Sequence, residues 1–179
     1  MRLFIALAIS EEIKDYFTKI EEDIRIITKD VCLVEPKNVH LTLKFLGEVP
    51  EHDQKPIIEK LKGINHQKIN LETDGIGFFP NNKNPKVLWV GLKNQKSIIE
   101  LHKKIDLALG TDFPNEFDFS THITLGRIPN QLTKTEIEKI QQLKIEGKTC
   151  QITEFHLMKS DLTPRRSIYS IVGSFSLND

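Results

Sequence analysis

Two stretches of the chain repeat one pattern that can do acid–base chemistry. "VHLTLKFLGEV" (Val39 to Val49) contains His40-Leu41-Thr42-Leu43, and "THITLGRI" (Thr121 to Ile128) contains His122-Ile123-Thr124-Leu125. Side chains alternate between the two faces of a strand. By that alternation His40, Thr42 and Lys44 share one face, and Leu41, Leu43 and Phe45 share the other. His122 and Thr124 face one way, Ile123 and Leu125 the opposite way. The apolar face anchors each strand in a core. The polar face presents an imidazole and a hydroxyl about 7 Å apart, two residues' rise along a strand. Two such strands, paired or adjacent, make a cleft with two histidines and two threonines.

Histidine titrates near neutral pH without help from its surroundings. A neutral imidazole takes a proton from an attacking hydroxyl or water, and a protonated one gives a proton to a leaving oxygen. Threonine hydroxyls donate hydrogen bonds to phosphate oxygens as their charge builds. Arg127, three residues after Thr124, offers a charge-assisted contact to the same anion. Strict alternation would bury Arg127, so it must lie past the strand end or beyond a bulge at Gly126. This pairing needs no metal and no cofactor. The chain has no H-x-H, HExxH or Cys/His cluster, no Walker loop and no GxGxxG. One such tetrapeptide is unremarkable in any half-exposed strand; two copies in one chain are what point to a site.

The elements that must hold these residues can be read along the chain. Residues 2–9 read as a buried strand. Ser10 is an N-cap for a helix through Ile13, Tyr16, Phe17, Ile20 and Ile24, with Glu11 and Glu12 in its first turn. "EPKN" turns the chain into the first motif strand. A helix through Ile57, Ile58 and Leu61 follows. Residues 68–79 form a strand with a bend near Gly75 and Gly77, "PNNKNPK" is a turn, and "VLWVGL" is a buried strand. Ser97 and Glu100 form a capping box for a helix that Gly110 ends, and Thr133 and Glu136 form another. Residues 152–158 and 167–177 are the last strands.

With 179 residues, 25 basic and 25 acidic, the chain carries no global field able to grip long nucleic acid. A nucleic-acid partner would be held by a small contact, such as an end. Cys32 and Cys150 make no disulfide framework or metal spacing and read as inert core thiols of a reducing compartment. No stretch approaches a membrane span, and "MRLFIALAIS" reads as a strand rather than a leader. The expected location is the cytoplasm. No linker divides the chain, so residues 1–179 are expected to form one bilobal domain.

At the two motifs the sequence resembles the 2H phosphoesterase superfamily, named for its paired H-x-[TS]-x motifs. Within it the likeness is to the RNA 2′,3′-cyclic phosphodiesterase family, also called 2′-5′ RNA ligase-like. The likeness extends through "MRLFIAL", "NVHLTLKFLGEV", "GIGFFPNNKNPKVLWVGL", "HITLGRI" and "SDLTPRRSIYSIVGSFSL". The resemblance implies an α+β fold of two pseudo-symmetric lobes, with mixed or antiparallel sheets, helices outside, and a central cleft lined by the H-x-T-x strands. It implies metal-independent hydrolysis of RNA 2′,3′-cyclic phosphate ends to 2′-phosphates, with 2′-5′ ligation as the reverse reaction. Carried over by position, His40 is the proton donor and His122 the proton acceptor, while Thr42, Thr124 and Arg127 hold the phosphate. RNA with cyclic phosphate ends, tRNA fragments among the candidates, is the implied partner, and a monomer the expected state. Many relatives have Gly-Pro before the Tyr of the last block, where this chain has Arg166 and Ser167.

Two other readings stand beside this one. The same site could open the ring of a small cyclic nucleotide, an ADP-ribose cyclic phosphate or a 2′-5′ oligonucleotide, or the chain could bind RNA ends without turnover. Arg165 and Arg166 read equally as RNA contacts or solvated loop residues, and Tyr169 as a stacking or hydrogen-bonding residue of the cleft or, more commonly for a strand Tyr, as packing. His52 and His66 read as solvated loop residues and His102 as a surface residue of its helix. His156 has no Thr two residues on, and Trp89 reads as core. Lys83, Lys86, Lys93, Lys96, Lys103 and Lys104 bias the middle segment positive, which is the usual character of a solvated face.

Overall fold

Strand β1 (Arg2–Ala8) is apolar throughout its middle, and five of its seven residues are buried. A strand of that character belongs inside a sheet, and β1 has a neighbour on each side. The computed structural model describes residues 1–113, 119–162 and 167–178. After β1 come α1 (Glu11–Ile27), β2 (Cys32–Leu33), β3 (His40–Glu48), α2 (Gln54–Lys62), β4 (Ile69–Phe79), β5 (Val87–Lys93) and α3 (Lys96–Leu109). The chain continues through β6 (Ile123–Arg127), α4 (Lys134–Gln141), β7 (Thr149–Ile152), β8 (Glu154–Leu162) and β9 (Ser167–Ser176).

The strands form two sheets, of order β3-β1-β8-β9 and β2-β6-β5-β4-β7. Each sheet holds one H-x-T-x strand. Every strand pairing is antiparallel, and the one parallel contact among the described residues is an isolated bridge between Gln67 and Asn178. The expected α+β, two-lobed architecture is therefore present, with antiparallel rather than mixed sheets. Helix α3 packs on β3 with α2 beside it. Helix α4 packs on β4 with α1 beside it, and the Tyr16 hydroxyl accepts from the Glu146 backbone N–H at 2.7 Å. Buried apolar side chains of both sheets join in one core, from Leu3, Ile5, Leu41 and Leu43 to Leu88, Val90, Ile123 and Leu125. At roughly 1.5–3 kcal/mol for each fully buried aliphatic side chain, this core is what holds the two motif strands in place.

Most helix signals are realised. The Ser10 hydroxyl accepts from Ile13 N–H, Thr133 and Glu136 form a reciprocal capping box, and Gly110 closes α3 at φ +62°. The expected box at Ser97 and Glu100 does not form, because α3 begins at Lys96 and Ser97 lies within it. The Ser97 hydroxyl instead meets His66 Nε2 at 3.1 Å. His66 is accordingly buried, not solvated, in a loop tied to α3 by the Lys104 ammonium donating to the Asn65 carbonyl. Cys32 also departs from expectation: it sits on the two-residue edge strand β2 and is exposed, while Cys150 is half-buried and both thiols are free. Among the described residues no helix is long and apolar enough to cross a membrane.

Candidate active site

Strands β3 and β6 belong to different sheets and lie side by side where the two lobes meet. His40, Thr42, Thr124 and Arg127 line one depression of the resulting cleft, with Phe4, Phe45 and Tyr169. His122, Thr42 and Thr124 line the adjoining one, with Phe45, Phe79 and Phe119. The two threonines are thus shared, and the two histidines flank them. The structure brings together all five residues singled out by the sequence.

The imidazoles are held by the same device. His40 Nδ1–H donates to the Asn38 carbonyl at 2.6 Å, and His122 Nδ1–H donates to the Ser120 carbonyl at 2.8 Å. A carbonyl only accepts, so Nδ1 carries the hydrogen in both rings and Nε2 is left to exchange protons. In each case the partner is the backbone two residues earlier. His40 Nε2 lies 3.0 Å from the Thr42 hydroxyl oxygen. The ring of His40 packs 5.0 Å from Phe4 and edge-on to Tyr169 at 5.4 Å. His122 stands edge-on to Phe79 at 4.9 Å, and Phe79 in turn lies against Trp89 at 5.0 Å. Trp89 is half-buried and backs this wall; its ring covers Gly77, where a Cβ would come within 2.4 Å of it.

Burial pushes the His40 pKa below the ordinary imidazole value, the nearby His122 pushes it the same way, and the bond to Asn38 opposes both. Burial also lowers His122, against the bond to Ser120. Removing an imidazolium from water is costly, so both rings favour the neutral form in the free protein. A phosphodiester anion beside the rings would work against the effect of burial, because an opposite charge favours the protonated imidazole. Their mutual repulsion disfavours two protons, so the pair suits a state with one acid and one base.

Both motif strands bulge at the residue after the threonine. In β3, Thr42 pairs with Ala6 and Lys44 with the very next residue, Ile5, which leaves Leu43 as the extra residue. In β6, Thr124 pairs with Trp89 and Gly126 with Leu88, which leaves Leu125 extra. A bulge of one residue reverses the alternation beyond it. Lys44 therefore does not share the face of His40 and Thr42: it is fully buried, with Nζ 2.6 Å from Asp106 Oδ1. Phe45 turns out to the cleft instead and is 64% exposed. The same reversal turns Arg127 into the cleft within β6, one residue earlier than a bulge at Gly126 would. Gly126 fits tightly for another reason, since a Cβ there would lie 2.7 Å from Val31 and 3.0 Å from the Cys32 carbonyl.

Three further residues bear on the site. His102 is buried, not a surface residue, and its ring stacks on Phe119 at 3.9 Å. Tyr169 lines the cleft beside His40. His156 is buried with Nδ1 3.0 Å from the Ser174 hydroxyl, and it lines a neighbouring depression that also reaches His40. His52 is exposed as expected. Arg165 and Arg166 lie outside the described residues. Among the described residues, no group of three or more His, Cys, Asp and Glu could hold a metal ion.

Comparison with known proteins places the chain among homologues of one kind. A family model described as LigT like phosphoesterase matches residues 7–89. The chain is 36% identical over 177 residues to an RNA 2′,3′-cyclic phosphodiesterase of Methanocaldococcus jannaschii, covering 96% of this chain and 98% of that protein. It is 32% identical to one of Archaeoglobus fulgidus, covering 98% and 99%. Among solved structures, TT0787 of Thermus thermophilus superposes with a TM-score of 0.83 at 26% identity, over 98% of this chain and 97% of that one.

Proposed function

The chain belongs to the LigT-like phosphoesterase family, and from that premise we propose that it is an RNA 2′,3′-cyclic phosphodiesterase working by two histidines without a metal. The observation that carries the reading is the matched pair of imidazoles. Each has Nδ1 tied to a backbone carbonyl, and the two flank a pair of threonine hydroxyls that no core function requires. The names of the relatives support the substrate: proteins 36% and 32% identical over nearly the full chain are called RNA 2′,3′-cyclic phosphodiesterases.

In the proposed reaction the cyclic phosphate lies across Thr42 and Thr124, with Arg127 beside it. His122 Nε2 takes a proton from water as the water oxygen bonds to phosphorus. The bond from phosphorus to O3′ breaks, and His40 Nε2–H gives its proton to that oxygen. One water is added, a 2′-phosphate is left, and solvent returns the two imidazoles to their starting protonation. The threonine hydroxyls and the Arg127 guanidinium donate to the non-bridging oxygens, where charge grows in the transition state. The assignment of donor to His40 and acceptor to His122 follows the family likeness; their Nδ1 geometry is equivalent. A 5′-hydroxyl in place of water would form a 2′-5′ linkage at the same site. With all partners on one chain, a monomer suffices. RNA ends, tRNA fragments included, need only a small contact, in keeping with the zero net charge.

The test is to incubate the protein and excess chelator with a short RNA ending in a 2′,3′-cyclic phosphate, and to locate the phosphate in the product. The expected product is a 2′-phosphate at an unchanged rate. Loss of activity on chelation overturns metal independence. A 3′-phosphate reverses the leaving oxygen. RNA bound without turnover favours an end-binding module, and turnover confined to small cyclic nucleotides or 2′-5′ oligonucleotides changes the substrate class.

A further inference from the structure

The bulged leucines present the same problem in the two lobes and meet different solutions. A bulge carbonyl needs a hydrogen-bond donor, or the extra residue is free to slip back into register. In β6 the Leu125 carbonyl accepts from the Val34 backbone N–H at 2.8 Å, because strand β2 lies alongside. Strand β3 is the edge of its sheet and has no such neighbour. There the Leu43 carbonyl accepts from His102 Nδ1–H at 2.8 Å. A buried side chain of α3 thus stands where a strand stands in the other lobe.

His102 is part of a larger unit. Its Nε2 lies 3.3 Å from Asp106 Oδ2, one helical turn on, and the other oxygen of that carboxylate pairs with buried Lys44. Lys44 follows the bulged Leu43 directly, so helix α3 grips the bulge through both its carbonyl and its next side chain. The face of the His102 ring stacks on Phe119 at 3.9 Å with only 8° between the planes. Phe119 precedes Ser120, whose carbonyl holds His122 Nδ1. One helix therefore touches the supports of both motifs: the bulge after Thr42, and the segment that orients His122.

We propose that His102, with Asp106 and Lys44, is a positioning unit that sets the two catalytic imidazoles at their working separation. None of the three lines either depression of the cleft. Their role rests on the two-histidine reading above, but it can be tested apart from it. The experiment uses His102→Ala and the double variant Lys44→Met/Asp106→Leu, which replaces the buried ion pair by apolar volume and keeps the protein folded where single changes leave a buried charge unpaired. Each is read in two ways below its unfolding temperature: kcat and KM on the cyclic-phosphate RNA, and the 15N shifts of His122, which report its tautomer.

The expected result is a kcat at least tenfold lower for each variant with KM within threefold of wild type. In His102→Ala, the His122 shifts move toward a mixture of tautomers. Wild-type kcat together with an unchanged His122 tautomer in folded His102→Ala overturns the proposal. An inactive wild type would overturn the reaction instead, and the tautomer readout would then decide the positioning role alone.

Discussion

Replacing either His122 or His40 by alanine is expected to lower kcat about 10²–10⁴-fold, the range for loss of a positioned acid or base. The chain should stay folded. Both side chains face the cleft rather than the core, and the strands that carry them are anchored by Leu41, Leu43, Ile123 and Leu125. The urea midpoint should therefore stay close to wild type. The double variant should lose little more than the worse single one, because an acid without its base no longer completes the transfer. His122→Asn makes a sharper control: it keeps a donor toward the Ser120 carbonyl and removes the basic nitrogen, so it should be as inactive as His122→Ala. Wild-type kcat in either single alanine variant would remove that histidine from the mechanism.

The second large effect concerns the threonines. Thr42→Val and Thr124→Val keep the branched shape and delete the hydroxyl. If each hydroxyl donates to a non-bridging oxygen as charge builds, each variant should lose about 10²–10³ in kcat, as for removal of one oxyanion donor. Serine at either position keeps the hydroxyl and should recover most of the rate. Thr42→Val carries an additional consequence, because the Thr42 hydroxyl also meets His40 Nε2. Its pH profile should shift, while that of Thr124→Val should keep the wild-type shape. Valine variants within threefold of wild type would leave the hydroxyls without a catalytic role.

Much of this site was legible before the structure, for an identifiable reason. Alternation along a strand is a local property, so His40 with Thr42 and His122 with Thr124 could be placed on shared faces from spacing alone. The apolar residues between them then required those faces to be open. Alternation fails wherever the ladder is irregular, and nothing in "HLTLKF" announces a bulge at Leu43. Strict alternation accordingly puts Lys44 in the cleft and Phe45 in the core, the reverse of what the fold contains. Arg127 shows the same weakness from the other side: alternation requires that it lie past the strand end or beyond a bulge at Gly126, and the structure keeps it inside the strand, beyond a bulge at Leu125.

The buried histidines were missed because burial of a polar residue is decided by partners distant in sequence. His66 finds Ser97, and His102 finds the Leu43 carbonyl. The four-residue spacing of His102 and Asp106 on a helix was the one available signal for the second. The backbone carbonyls of Asn38 and Ser120, which fix both tautomers, leave no mark on side-chain identity.

The most direct test of the two-histidine claim is the pH dependence of kcat/KM, for the wild type and for the residual activity of each histidine variant. In the proposed mechanism a base must be neutral, so His122 should produce the limb that falls as pH drops; an acid must be protonated, so His40 should produce the limb that falls as pH rises. Both imidazoles are held below the ordinary value of 6.5, so the wild-type bell should peak on the acid side of 6.5. The profile of kcat should lie at higher pH, because the bound phosphate anion favours the protonated ring. His40→Ala should lose the basic limb alone and His122→Ala the acidic limb alone. A profile flat from about pH 4 to about pH 9, or limbs that survive removal of both imidazoles, would contradict the account.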